Sequence, residues 1–287
     1  MMSPVLGGVM LAYLLVGLLF LAGGLWASSR LQLWARLLFW AGLGAHTMAL
    51  LGRWWESYHL ALVHTPGAGF SESLRLVILQ APLSNFYESL IFFAWCLPFL
   101  ALVTFRHYLQ GYLGTVVAIL ACLLLAYASL GGVDSRIKPL MPALKSNWLL
   151  IHVVTCFLGY AAFTLGFGTA LLYLKQERWP RPSLPPLASM DRLIYQATII
   201  GFLFLTLGIL TGAVWAESAW GRYWSWDPKE TWSLITWLVY ATLLHARLVK
   251  GWQGRRIAWL AVLGFMAVLF TYFGVSFLLT GLHSYLT

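Results

Sequence analysis

Long apolar runs separated by short polar segments dominate the chain. Eight runs stand out by their length and their low charge, at residues 4–28, 33–52, 85–104, 113–130, 147–174, 193–216, 231–249 and 257–281. A helix of about 20 apolar residues crosses the hydrocarbon core of a bilayer and satisfies its own backbone hydrogen bonds there. The pattern therefore predicts an all-α polytopic transmembrane helix bundle of about eight spans, with residues 1–287 forming a single integral membrane domain.

Composition agrees with this class and excludes an ordinary soluble protein. The chain is 61% hydrophobic and 9% charged, whereas soluble domains carry about 25% charged residues. The net charge of +9 comes from basic residues in short loops, where they set topology rather than bind nucleic acid. The 3 cysteines lie in apolar runs and form no CxxC pair, so disulfide or zinc chemistry within the chain is not expected.

Loop charge predicts the orientation. With eight spans both termini lie on one side, and the loops on the other side carry the excess of basic residues, including the run KGWQGRR after the seventh span. Basic loops mark the cytoplasmic side. Both termini and the loops at 53–84, 131–146 and 217–232 are therefore expected outside the plasma (inner) membrane, facing the periplasm. Within the first of these loops, Ser71–Ala81 predicts a short interfacial amphipathic helix.

The outward loop contains a dense aromatic segment, WGRYWSWDPKETW. Four tryptophans fall within it, Trp220, Trp224, Trp226 and Trp232. Tryptophan is common at membrane interfaces, but this density exceeds an anchoring belt. A large flat apolar ligand with a polar edge, such as haem, would stack on such a surface.

The charged residues of this segment have two explanations each. Asp227-Pro228-Lys229-Glu230 reads as a capping box that starts the seventh span, with proline at the first helical position. Capping is the simpler explanation for both carboxylates, and an acid–base pair is the alternative. Asp227 is also a candidate cofactor-binding residue. Arg222 and Lys229 could pair with ligand carboxylates such as haem propionates, or be solvated at the interface.

Two histidines are expected near this loop. His152 lies about six residues into the fifth span, roughly 8 Å below the outer face, and His283 follows the eighth span at the same face. Two imidazoles at similar depth beside an aromatic surface suit bis-axial ligation of a haem iron. The alternative is one capping and one interfacial histidine without a cofactor.

His245 belongs to another level, about 20 Å below the outer face, near the cytoplasmic end of the seventh span. An ionisable residue inside a span is a functional hypothesis by default, and a hydrogen bond to a neighbouring helix is the alternative. His46 lies at a different depth and His107 is expected to be exposed, so a partner protein could supply a second ligand. His59 and His64 are most simply loop residues.

These residues resemble a known family. The tryptophan-rich segment resembles the WWD motif of the haem-handling protein superfamily, and its WDPKETW ending is similar to the CcsA/ResC cytochrome c biogenesis branch. Other matching stretches are NFYESLIFFAW from Asn85, WLLIH ending at His152, GYAAF from Gly159, LHAR around His245 and GLHSY around His283. The resemblance runs from about residue 43 to the C-terminus.

The resemblance implies the haem-handling subunit of a two-component cytochrome c synthase, or haem lyase, that presents haem b for thioether attachment to the CxxCH segment of apocytochrome c. It implies that His152 and His283 ligate haem at the outer face and are the catalytic residues. It also implies that His245 ligates an inner haem whose second ligand comes from a CcsB/ResB-like membrane partner. The alternative function is haem delivery to a chaperone without covalent chemistry. An electron-transfer cytochrome would need a depth-matched histidine pair within the bilayer, which the sequence does not offer.

Overall fold

The computed structural model describes residues 3–67, 69–106, 111–138, 140–181 and 184–283. Its α-helices are α1 (Ser3–Leu25), α2 (Ser29–Val63), α3 (Phe70–Leu79), α4 (Phe86–Phe105), α5 (Gly111–Leu130), α6 (Asn147–Arg178), α7 (Leu187–Trp220), α8 (Pro228–Leu248), α9 (Arg255–Leu269) and α10 (Val275–Leu278). A short 3₁₀-helix covers Pro142–Leu144. A short π-helix, called the π segment below, covers Phe270–Gly274. Over these ranges every regular element is helical, which confirms the predicted all-α class.

Six segments are long and apolar enough to cross a membrane: Val5–Leu25, Phe86–Phe105, Gly111–Leu130, Asn147–Arg178, Leu187–Trp220 and Arg255–Leu278. The prediction of a multi-pass helical bundle is thereby confirmed. Helices α2 and α8 are not among the six, because charged and hydroxyl-bearing residues interrupt their apolar stretches. The count of eight spans and the side on which the termini lie therefore stay predictions.

The helices pack as two groups joined by α4. In the first group α1 contacts α2 and α5, and in the second α6 packs along α7 and α9 while α8 contacts α7 and α9. Small residues bring α6 and α7 close together, as is common between membrane helices. A Cβ added at Gly159 would lie 3.1 Å from the backbone nitrogen of Leu205, so the two backbones are in near contact.

The helix ends follow local sequence signals. The side chain of Asn85 accepts from the Glu88 amide at the start of α4. The capping box predicted at Asp227 and Glu230 is confirmed at the start of α8. The helix predicted over Ser71–Ala81 is present as α3. The last apolar run is interrupted by the π segment between α9 and α10, and such segments often occur at functional sites.

The two ends of the bundle differ. At one end, called the cavity end, α4, α6 and α8 begin and α7 and α10 finish around an open cavity. At the opposite end Arg247 pairs with Asp191 through an Nη2–Oδ2 distance of 2.7 Å. The amide of Gly254 also donates to Asp191, at 2.7 Å. This ion pair ties α7, α8 and the turn before α9 together.

Candidate functional site

A cavity of about 190 Å³ opens at the cavity end. Its wall comes from the starts of α4, α6 and α8, the end of α7, the π segment and the residues after α10. Its lining includes polar and aromatic side chains, among them Asn85, His152, Trp215, Tyr223, Trp224, Lys229, Tyr272 and His283. The structure therefore brings both predicted outer histidines to one cavity, although they are 131 positions apart in the chain.

His152 is held by the facing helix. Its Nδ1 lies 2.7 Å from the carbonyl oxygen of Gly208 on α7. A carbonyl oxygen can only accept, so Nδ1 carries the proton and Nε2 is the basic nitrogen. The ring fits because α7 has no side chain at Gly212, where an added Cβ would lie 2.6 Å from Nδ1. Nε2 is thus left available to a ligand of the cavity.

His283 is held in a corresponding way by an acid. Its Nδ1 lies 2.8 Å from Oδ2 of Asp227, and Asp227 also accepts from the amides of Lys229 and Leu282. Burial acts to raise the pKa of Asp227, but the hydrogen bond and charge of His283, with these two amide bonds, hold that pKa below its usual value. The ionised carboxylate therefore orients the imidazole through Nδ1, and Nε2 of His283 is again left for a ligand.

Trp215 connects the two histidines. Its ring stacks on His152 at 5.9 Å between centroids and 17° between planes, and it meets His283 edge-on at 5.5 Å. The side chain is 1% exposed, and its Nε1 donates to the carbonyl of Ala143 at 2.9 Å. Sequence reasoning missed Trp215, because nothing in the apolar run distinguishes it from an interfacial tryptophan.

The four tryptophans of the predicted aromatic surface occupy different environments. Trp220 contacts His283 at 5.0 Å, and Trp224 lines the cavity. Trp226 is 68% exposed and has a φ of 59°. Trp232 packs on Phe270 at 4.1 Å and is not part of the cavity wall. Of the four, Trp224 is therefore placed to contact a ligand in the cavity, while Trp220 packs against a cavity histidine from outside the lining.

The charged residues of the loop also lie in different surroundings. Lys229 is half-buried in the cavity wall, and no described carboxylate lies within ion-pair distance of it. Arg222 is exposed and lies outside the wall. Glu230 accepts from the amides of Ser225 and Asp227, at 2.7 and 3.2 Å. Lys229 is thus the loop cation best placed to meet an anionic group in the cavity.

His245 lies far from this cavity. It is an exposed residue in the last turn of α8, 17 residues after Pro228 and so about 25 Å along the helix. His46 is buried on α2, with Nδ1 3.3 Å from the Tyr13 hydroxyl. His59 and His64 are exposed near the end of α2. His107 lies outside the described residues.

Replacing Gly212 by alanine is expected to displace His152. The new Cβ would lie 2.6 and 2.7 Å from two ring atoms, so the imidazole must rotate and lose its bond to Gly208. Alanine favours a helix over glycine by up to about 1 kcal/mol, so the protein should remain folded. We expect ligand affinity at the cavity to fall about 10–100-fold, the usual cost of losing a supporting contact to a metal ligand.

The matched control is Gly44→Ala, in the interior of α2, where an added Cβ meets nothing within 4 Å. Both variants would be purified in detergent and titrated with haem while the absorption spectrum is recorded. Equal affinity in the two variants would contradict the prediction that His152, held by α7, binds the cavity ligand.

The fold and this cavity define a multi-pass helical membrane protein with a pair of supported histidines at one end. Residues 83–283 match the family described as Cytochrome C assembly protein, and the chain belongs to that family. Membership supports a role in cytochrome c maturation.

Several relatives carry the name Cytochrome c biogenesis protein CcsA. The protein of Chlamydomonas reinhardtii is 46% identical over 213 residues, which are 71% of this chain and 60% of the relative. That of Mesostigma viride is 41% identical over 79% of this chain and 87% of the relative. That of Synechococcus sp. (strain JA-3-3Ab) is 38% identical over 88% of this chain and 90% of the relative. The chain thus spans about three-fifths of the first relative and most of the other two.

A solved structure, Cytochrome c Heme Lyase CcmF, has the same fold with a TM-score of 0.69. It is 22% identical, and the match covers 94% of this chain and 45% of that one. At this identity the likeness concerns the fold alone.

Proposed function

We propose that this protein is the haem-handling subunit of a two-component cytochrome c synthase and that it binds haem b in the outer cavity through His152 and His283. One observation carries the proposal: both histidines line one cavity, and each has Nδ1 engaged by a protein acceptor, at 2.7 and 2.8 Å. Histidines that ligate metals usually donate their second nitrogen in this manner. Bis-histidine ligation is one of the standard ways to hold haem iron.

The rest of the wall suits haem. Trp224 offers aromatic surface for the porphyrin, Trp220 packs against His283, and the half-buried ammonium of Lys229 could meet a propionate. Asp227 acts through His283 rather than on the ligand. Three other predicted residues do not line the cavity: Trp226, Trp232 and Arg222. Under this proposal they act outside the haem pocket.

The chemistry that follows is addition of two thiols to two vinyl groups. Each cysteine S–H of the apocytochrome CxxCH segment adds across a C=C bond, so a C–S bond forms and the proton goes to the neighbouring carbon. The histidine of that segment replaces one of the two axial ligands. The chain contributes binding and orientation while haem and thiols supply the reactivity, and its own cysteines are not needed.

His245 fits a second, inner haem position reached from the cytoplasmic side. Because its side chain is exposed, a helix of a CcsB/ResB-like partner could approach it and supply the other ligand. In this arrangement haem enters near His245 and moves to the outer cavity. The protein would lie in the plasma (inner) membrane with the cavity facing the periplasm, as the loop charges predict.

The test is maturation by the minimal pair. The protein, a CcsB/ResB-like partner and an apocytochrome would be co-expressed in a host without its own maturation system. Covalent haem would then be detected on a denaturing gel. We expect holocytochrome c, and none when both substrate cysteines are replaced by serine. Bound haem without covalent product until a chaperone is added would contradict the synthase and favour haem delivery.

A further inference from the structure

Besides the Arg247–Asp191 pair at the opposite end, the bundle has a buried ion pair at the cavity end. Nε of Arg53 on α2 lies 2.9 Å from Oε1 of Glu88 on α4, and the side chains are 6% and 2% exposed. Removing two charges from water costs several kcal/mol per ion, which their attraction only partly returns. Apolar residues could therefore join these helices as well or better, and the pair needs another explanation.

The pair organises the segment before α4. The second oxygen of Glu88 accepts from both the amide and the hydroxyl of Ser84, each at 2.8 Å. Nη2 of Arg53 donates to the carbonyl of Ser135 at 3.0 Å. Three parts of the chain that are distant in sequence, namely α2, the 84–88 segment and the loop after α5, are thus connected at one point.

This segment is a wall of the cavity. Ser84, Asn85, Phe86 and Ser89 line it, whereas Arg53 and Glu88 do not. The wall continues into the π segment, because the Ser89 hydroxyl lies 2.8 Å from the hydroxyl of Tyr272. The ion pair is therefore bonded to a segment that lines the same cavity as the two histidines.

We propose that Arg53 and Glu88 are positioning residues for the cavity ligand: they fix the wall at residues 83–89 and so set its affinity without touching it. The identity of the ligand as haem rests on the proposed function above. Neither residue was singled out by its chemistry in the sequence, since their contact spans 35 positions.

The decisive variant is Arg53→Met/Glu88→Met, which removes both charges while keeping much of the packing volume. An apolar replacement of a buried pair is often neutral or favourable for stability. A merely structural pair predicts unchanged unfolding temperature and unchanged haem affinity. A positioning pair predicts a similar unfolding temperature with affinity lowered about tenfold or more, the range for lost supporting contacts. It also predicts faster amide hydrogen exchange over residues 83–89.

The matched control is Asp191→Met/Arg247→Met at the opposite end. That pair is also largely buried, with the Arg247 side chain 12% exposed and the Asp191 side chain 10% exposed. Every variant, and the parent, would carry His245→Ala so that added haem reports the outer cavity alone. The control should keep parental affinity and parental exchange over 83–89. Should the double methionine variant fail to accumulate, Arg53→Gln/Glu88→Gln takes its place, since it removes both charges and leaves no unpaired ion buried.

The outcomes separate the two proposals. If the parent binds haem and the Arg53/Glu88 variant binds it equally well, the positioning role is overturned while the proposed function stands. If the parent binds no haem, the proposed function fails. Amide hydrogen exchange over residues 83–89 then decides the positioning role. If the Arg53/Glu88 variant is as well protected there as the parent, the positioning role is overturned.

Discussion

Under the proposed function, His152→Ala and His283→Ala are each expected to abolish stable haem binding at the cavity and with it cytochrome c maturation. Each variant would remove one of the two proposed axial ligands, and the tryptophan indoles offer no replacement donor to iron. The loss should exceed the roughly 10–100-fold that removal of a supporting contact costs. Absorption spectra of the purified protein with its partner, and holocytochrome on denaturing gels, measure the two effects.

Two controls sharpen this result. His59→Ala removes an exposed histidine that packs edge-on against Trp55 at 4.3 Å, and it should leave both readouts unchanged. Imidazole added to His283→Ala or His152→Ala should restore part of the spectrum, because a free imidazole can enter the vacated ligand position. Normal haem content and normal maturation in both alanine variants would rule out the ligand assignment.

Asp227→Ala is expected to have the next largest effect, because one carboxylate performs two tasks. Loss of the helix cap should cost about 1 kcal/mol of stability. Loss of the contact to His283 should weaken haem binding about 10–100-fold. The stability change is measured by thermal unfolding in detergent and the affinity by haem titration, so the two tasks are observed separately.

Asp227→Asn separates them further. Asparagine is as good a helix cap as aspartate, so stability should stay near the parent. The asparagine side chain has one oxygen and can replace only one of the two carboxylate oxygens. In Asp227, Oδ2 contacts Nδ1 of His283 and the Lys229 amide, whereas Oδ1 accepts from the Leu282 amide. Affinity should therefore lie between that of the parent and that of the alanine variant. Ser28→Ala, which removes the cap of α2, should cost stability without changing haem affinity. Parental affinity in Asp227→Ala would show that His283 needs no support.

Local and periodic features were predictable from the sequence. The apolar runs gave the helices, because a backbone in lipid has few alternatives to helix. The capping box at Asp227 was predictable because its partners lie within three positions. The predicted depth of His152 in its helix and the position of His283 just after the last apolar run placed both at one level, and both line the cavity.

Other features of the site depend on contacts between distant segments. Trp215 differs from other tryptophans only because it reaches His152, His283 and Ala143 at once. Asp227 gains its second task through His283, 56 positions away. The sequence also grouped Trp232 with the cavity residues, yet its neighbour is Phe270.

By itself, then, the sequence determined the helices and their caps and predicted a depth for His152, His245 and His283, since these depend on hydrophobicity, neighbouring residues and rise per residue. The tertiary structure decided the direction in which each side chain points and the acceptor that holds each imidazole. The physical reason is helix packing. Glycines at 208 and 212 let α7 approach Cys156 and His152 of α6 closely, and the rotation of each helix about its axis selects which residues reach the cavity. Neither property is encoded in local pattern, and both are needed to leave two Nε2 atoms free.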